Sequence, residues 1–247
     1  MAKIIKFADI QFQEISFNEL KNTFHKKNLF VFPSAPCLAR LDKEDNYYSA
    51  LKNADIAMLD SGFFCLLIFF KKWVFLKKFS GLNFIHHLLV YLKDKHETVL
   101  FIEPSEAQAH RNKRYLNKIM FNCKFTQYIA PIYPKNDITD PSLINIIKKN
   151  KPSFIIINLA GLVQEVIGSH IKNSINYNAN IFCLGAAIAF KSGNQAPAPV
   201  FLDNFYLSWL VRCVFSPTIF FPRYIKAFRL VKVINLFKLE IVSKNEV

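Results

Sequence analysis

The chain has 247 residues, enough for one domain or one domain with an appendage. Hydrophobic residues make up 52% of it, with 26 Phe and only 6 Gly, which excludes a disordered or collagen-like chain. A formal net charge of +14 calls for an anionic partner such as nucleic acid, a membrane surface or a phosphorylated ligand, and charge alone does not choose among them.

From the amino terminus, Ile4 to Phe17 alternates loosely and reads as a small hairpin or edge strand. Asn28 to Phe32 is a short buried strand. Pro33, Ser34, Ala35 and Pro36 follow as a loop that cannot begin as helix, because Pro restricts itself and its predecessor. Lys43 to Asn53 reads as a helix with Tyr48 and Leu51 inward, and Asp55 to Leu59 as a strand that delivers Asp60, Ser61 and Gly62 to its carboxyl end. Phe63 to Phe70 is an apolar helix, too short to span a bilayer, which takes about twenty residues. Lys71 to Lys78 reads as a basic, mobile connection, and Ser80 as the cap of a helix over Leu82 to Leu92. Thr98 to Ile102 is a strand ending at Glu103-Pro104-Ser105, with Ser105 capping a helix over Glu106 to Met120. Phe125 to Ile129 is the next strand, and Leu143 to Lys149 the next helix.

Phe154 to Leu159 is an Ile-rich run broken only by Asn158, the pattern of a strand buried on both faces. Gln164 to Lys172 follows at helical spacing, and Ile181 to Leu184 is a second buried strand. A strand-helix-strand unit crosses over right-handed, so its strands lie parallel and their carboxyl ends share an edge. After Pro197 the alternation stops. The chain becomes Phe-rich and Pro-punctuated, with no acidic residue between Asp203 and Glu240, so an appendage is expected there rather than more sheet, with one or two amphipathic helices over Ile219 to Leu239. The division is residues 1–200 for the α/β domain and 201–247 for the basic appendage.

The fold class is therefore α/β, a Rossmann-like parallel sheet with helices on both faces. Ser34, Asp60, Glu103, Asn158 to Glu165 and Gly185 to Ala187 all fall at or just past strand carboxyl ends, where open parallel sheets bind ligands. The small residues among them would let a ligand approach the backbone; they would equally serve close packing of helix on sheet. Asp60 is placed to act as a general base, and equally to cap the helix that follows.

Several chemistries lack their residues. GxGxxG, GxxxxGK[ST], GxSxG and a DxD pair are all missing. Cys37, Cys65, Cys123, Cys183 and Cys213 are scattered without a CxxC pair and read as buried thiols in a reducing compartment. The His86-His87 pair lacks metal-ligand spacing, so no metal site is expected. Met1 to Phe12 has no sustained apolar stretch, so no secretory leader is expected either.

The ordered set DSG at Asp60 to Gly62, SG at Ser80-Gly81, QE at Gln164-Glu165, LGAAIAF from Leu184, and WLVR with P and RY near the carboxyl end resembles the WecG/TagA/CpsF glycosyltransferases over roughly residues 28 to 230. The resemblance implies inverting transfer of an N-acetylmannosamine-like sugar from a UDP-sugar to a polyprenyl-diphosphate-linked acceptor, without a cofactor, at the cytoplasmic face of the cell membrane. It implies Asp60 as the base, with Gln164, Glu165, Gly185, Ala186 and Ala187 at the nucleotide-sugar; Ser34, Ser80, Gly81, Asn158 and Gly161 join them around the substrates by their place on the same edge. It also implies Arg212 and Arg223 at the diphosphate, and a carboxyl-terminal segment that touches the anionic membrane. The chain departs from the family in having Pro33-Ser34-Ala35 where a Thr and an Asn are usual, Ala189 for an Asp, Gln195 for an Arg and Ser208 for a Glu. A divergent donor or acceptor is therefore expected, with a non-catalytic nucleotide-sugar or lipid-diphosphate binding module as the alternative. Nucleic acid is not expected, for want of aromatics interleaved with basic residues or any reader motif; homo-oligomerisation stays open.

Overall fold

The computed structural model describes residues 3–120, 123–135, 137–193 and 217–243. Among these residues nine strands form one sheet, which begins with an antiparallel hairpin of β1 (Lys3–Phe7) and β2 (Ile10–Gln13). Its two-residue turn, Ala8-Asp9, has φ of 51° and 55°, the positive values that tight hairpin turns require. After α1 (Phe17–Lys21) come β3 (Asn28–Val31), α2 (Ala35–Leu38), α3 (Asp45–Lys52), β4 (Ile56–Met58), α4 (Gly62–Lys72) and α5 (Gly81–Lys93). The second half adds β5 (Thr98–Glu103), α6 (Glu106–Leu116), β6 (Lys124–Ile129), α7 (Pro141–Asn150), β7 (Phe154–Ile157), α8 (Val163–Ser174), β8 (Asn180–Cys183) and α9 (Ala187–Lys191). Beyond the undescribed stretch lie α10 (Pro217–Ala227), α11 (Leu230–Leu236) and β9 (Leu239–Ser243).

The strand order is β6-β5-β7-β8-β3-β4-β2-β1-β9, parallel from β6 to β2. β1 and β9 add two antiparallel pairings at one end. Period-2 alternation sends each strand's side chains to two separate cores. Ile155, Ile157, Leu29 and Val31 join the layer built with α3, α4, α7 and α8, while Phe154, Ile156, Phe30 and Phe182 join the one built with α5. This second layer holds more of the Phe than the first, and in it Phe30 and Phe182 stack at 4.7 Å and Phe84 lies 5.1 Å from Phe182. Such ring pairs contribute about 0.5–1.5 kcal/mol beyond the area they bury.

Four local features differ from the sequence reading. The 33–36 segment contains the start of α2, because Pro36 sits in its first turn, where a missing N–H costs nothing. In α3 the fully buried ring is Tyr47, while Tyr48 is only half-buried. The 71–78 segment is fastened rather than loose: Lys3 Nζ donates to Phe75 O at 2.7 Å, Lys77 N to Glu14 Oε1 at 2.6 Å, and Leu76 is buried. Finally, α10 and α11 are the expected helices, but β9 is sheet where none was expected, and it pairs along the whole of β1. Alternation in Leu239 to Ser243 was too short to be separated from the end of a helix.

Candidate active site

Asp60 leaves β4 through a turn closed by its own N–H to Met58 O. Its Oδ1 accepts from the backbone N–H of Gly81 at 2.8 Å, the first residue of α5. The following helix, α4, is capped instead by Ser61, whose hydroxyl accepts from Phe64 N. Asp60 is thus not the cap of the helix after it. It sits half-exposed at the amino-terminal, positive end of a thirteen-residue helix twenty-one positions on. Ser80 and Gly81 are buried, and Ser80 is occupied with capping Asn83 N.

The Gln164-Glu165 pair faces inward. Gln164 Oε1 accepts from Gly185 N at 2.7 Å, Gln164 Nε2 donates to Glu165 Oε1 at 3.0 Å, and Leu162 N donates to Glu165 Oε2 at 2.8 Å. Both side chains are buried, at 4% and 1% exposure, and their hydrogen bonds brace the two turns. The braced turns are unusual. Gly185 has φ of +58°, and a Cβ there would lie 3.5 Å from Leu159 O. Leu162 holds φ 79° and ψ −43° with no side-chain cap, strain of a kind that collects at functional sites. Burial pushes the Glu165 carboxyl up to about 7, against the opposing pull of the hydrogen bonds from Gln164 and Leu162. Beside it the hydroxyl of Tyr47 is buried without a hydrogen-bond partner.

Gly161 closes the link to β3. A Cβ at that position would fall 2.5 Å from Cys37 Sγ, and Cys37 Sγ in turn takes the Ser34 hydroxyl at 3.3 Å. Between them, the side chains of Leu184 and Phe32 lie under Gly81, at 3.6 and 3.7 Å from where its Cβ would be. A continuous contact path therefore runs from Asp60 through Gly81 and Leu184 to Gly185, Gln164 and Glu165, with Ser34, Cys37 and Gly161 alongside. Asp60 and Gly185 follow strands separated only by β3, so two strand spacings, about 10 Å, divide them.

Exposure sorts the sequence-selected residues. Ser34, Asp60, Gly161, Gly185 and Ala186 are half-exposed at this edge and able to touch a ligand; Ser80, Gly81, Asn158, Gln164, Glu165 and Ala187 are buried beneath them. Asn158 lies apart from the pair, on the α5 and α6 side, next to the fully buried Glu103. Asn112 donates to both Glu103 oxygens at 3.1 and 2.9 Å, and burial raises the Glu103 pKa. The Asn158 amide favours the Glu103 charge from nearby, yet neither of its polar atoms makes a hydrogen bond of normal geometry. Arg212 lies outside the described residues, as does the side chain of Arg223, whose backbone belongs to α10. Arg229, another basic residue of this segment, is committed to Asp42, at 2.7 and 2.6 Å, and to Ala39 O. That ion pair holds the Asp42 carboxyl below its usual range.

Sequence reasoning missed Cys37, Tyr47 and the strained Leu162. The last hides a half capping box, because a Leu stands where the motif has Ser or Thr. Beside Gly161 and Leu162 a groove of about 510 Å³ opens toward Arg40, Lys43, Tyr47 and Tyr133; Asp60 is not in its lining. Among the described residues no group of three or more His, Cys, Asp or Glu is placed to hold a metal, and no helix is long and apolar enough to cross a membrane.

A sequence comparison with curated proteins gives no match. The family model described as glycosyl transferase WecG/TagA/CpsF family matches residues 5–242, which takes in β3 to β8, both braced turns and all but the last residue of the edge strand β9. With nearly the whole chain matched, and with its acidic residue and small-residue turns gathered on one sheet edge, this chain belongs to the WecG/TagA/CpsF family of glycosyltransferases.

Proposed function

We propose that the chain transfers an N-acetylmannosamine-like sugar, with inversion, from a UDP-sugar to a polyprenyl-diphosphate-linked acceptor in cell-surface polysaccharide synthesis, working as a peripheral protein at the cytoplasmic face of the membrane. The observation that carries this reading is the half-exposed Asp60 carboxylate, held by the Gly81 N–H on the same sheet edge as the Gly185 turn, two strand spacings or about 10 Å along it. That spacing leaves room for a sugar between base and donor turn. The acceptor hydroxyl gives its proton to Asp60 as its oxygen attacks the anomeric carbon, and the bond to UDP breaks with its electron pair leaving on the diphosphate. Ser34, Gly161, Gly185 and Ala186 line the donor. Gln164 and Glu165 act as positioning residues, through Gly185 and Leu162. The departing charge falls to backbone N–H groups at the start of α8 and to Arg212 and Arg223, a role for the arginines that rests on the resemblance.

The test begins with UDP release from candidate donors in the presence of a lipid-linked acceptor. Asp60→Asn keeps an oxygen to accept from Gly81, so the turn survives; binding of the UDP-sugar, followed by thermal shift, is retained while turnover falls at least about a hundredfold. Near-normal turnover removes Asp60 from the mechanism. One observation favours the rival reading of binding without transfer: the Ser34 hydroxyl is turned to Cys37 rather than into the mouth of the site. A donor that binds and releases no UDP with any acceptor decides for it.

A further inference from the structure

The segment between Asp60 and Gly81 is an excursion that departs from the candidate base and returns to it, closed by the Asp60–Gly81 hydrogen bond. No acidic residue occurs from position 61 to position 93. α4 buries Phe64, Cys65 and Ile68 and then leaves Phe70, Trp73 and Phe75 at 67%, 79% and 64% exposure. Trp73 ends the helix in left-handed backbone, φ 55° and ψ 32°, which bulky residues rarely adopt. Lys71, Lys72 and Lys77, interspersed with these rings in sequence, are likewise exposed. Two carboxylates near this segment are engaged: Glu14 with Lys77 N and Glu240 with Lys238.

The exposed aromatics continue onto a second acid-free segment. Phe63 meets Phe228 edge-on at 5.4 Å, and Lys71 Nζ donates to Ile234 O and Asn235 Oδ1 at 2.9 and 2.7 Å. Phe221, Ile225 and Phe228 are themselves 59%, 54% and 60% exposed. Large apolar side chains held in water beside clustered lysines match the interfacial layer of an anionic bilayer. A second copy of the chain would bring the same positive charge against the patch.

We infer that Phe70, Trp73 and Phe75, interspersed with Lys71, Lys72 and Lys77, form a wedge that seats in the headgroup layer of an anionic bilayer and presents Asp60 to a membrane-held acceptor. The eleven residues of α4 rise about 16 Å, which sets the height of Asp60 above the wedge. The sequence locates membrane contact in the carboxyl-terminal segment; the structure adds this earlier and more exposed element. Only the presentation to an acceptor rests on the sugar-transfer reading, while the seating stands by itself.

The full chain carrying Trp209→Phe, which leaves Trp73 as the single Trp, is mixed with phosphatidylglycerol-containing vesicles and with pure phosphatidylcholine vesicles. Expected are a blue shift of Trp73 emission with the anionic vesicles and weakening at high salt. Replacing Phe70, Trp73 and Phe75 together by Ser, assayed by flotation in the parent chain, lowers partitioning at least about tenfold, with the thermal midpoint kept because all three side chains are exposed. The combined Lys71→Gln, Lys72→Gln and Lys77→Gln change lowers binding to anionic vesicles by a similar factor. Unchanged Trp73 emission, or flotation of the Ser variant like the parent, overturns the proposal. So does a dimer in sedimentation that the Ser changes dissolve without any vesicle binding. Because these readouts need no sugar donor, they decide the seating even if Asp60→Asn leaves turnover intact.

Discussion

Replacing Gln164 by Leu tests whether the Gln-Glu pair is a brace. The side chain is buried, so the change leaves two partners without water to fall back on. The Gly185 N–H loses its 2.7 Å acceptor and keeps only its longer bond to Ile157 O at 3.2 Å, a loss of about 1 kcal/mol. Glu165, wholly buried, loses a donor to Oε1, a charge-assisted bond worth about 1.5–3 kcal/mol. Burying a Leu in place of an amide returns about 1 kcal/mol, for a net loss of about 2 kcal/mol. Urea unfolding extrapolated to water measures it, and the thermal midpoint of a chain this size should fall by roughly 4–8 °C. In the double variant with Glu165→Leu the buried charge goes with its partner, so the two losses combine to about 2 kcal/mol less than their sum. A Gln164→Leu protein within about 1 kcal/mol of the parent, or strict additivity in the double, refutes the brace.

The Glu165 carboxyl also gives stability a pH dependence. Its folded pKa of about 7 exceeds the ordinary 4.5, so the folded chain binds the extra proton between those values, and this group's contribution declines as pH rises from about 4.5 through about 7, then levels off. The urea midpoint of the parent should fall over that window relative to Glu165→Gln; parallel curves would exclude the assignment. At Gly168, inside α8, a Cβ would lie 2.8 Å from Cys183 Sγ and 2.9 Å from Leu29 Cδ1, both fully buried. Gly168→Ala should destabilise by about 1–2 kcal/mol despite its better helix propensity, with Cys183→Ala recovering part of it in the same unfolding assay; a stabilised Gly168→Ala contradicts the tight seating of α8 on the sheet.

The alternation of strands and helices was legible because each parallel strand is buried on both faces and so is written as an unbroken apolar run, as in Phe154 to Ile157. Caps were equally legible: Ser80 and Ser105 do what a Ser before an apolar period does. The position of Asp60, Gly161 and Gly185 at strand ends followed from the same pattern. What the side chains face did not. Gln164 and Glu165 look like ligand contacts in one dimension and turn out to hold backbone N–H groups, because their partner, Gly185, lies twenty-one residues away and only the crossover brings it near. Asp60 reads as a local turn residue for the same reason, its real partner being Gly81 across the whole α4 excursion. Tyr47 and Tyr48 are neighbours with equal claim to the core in a loose pattern, and the approach of α8 decides between them. β9 was invisible because its pairing partner, β1, is at the other end of the chain.

That last pairing shapes how the protein can be made and cut. β1 leaves the ribosome long before its outer neighbour β9, so one flank of the hairpin stays open while all the intervening chain is made, a long-range contact of the slow-forming sort. A deletion of residues 217–243, the natural way to ask what the basic carboxyl-terminal region contributes, would also strip this strand and leave the Lys3–Phe7 ladder free to recruit another molecule. Clumping of such a deletant would report an orphaned sheet edge, and internal excision that spares Leu239–Ser243 is the cleaner design.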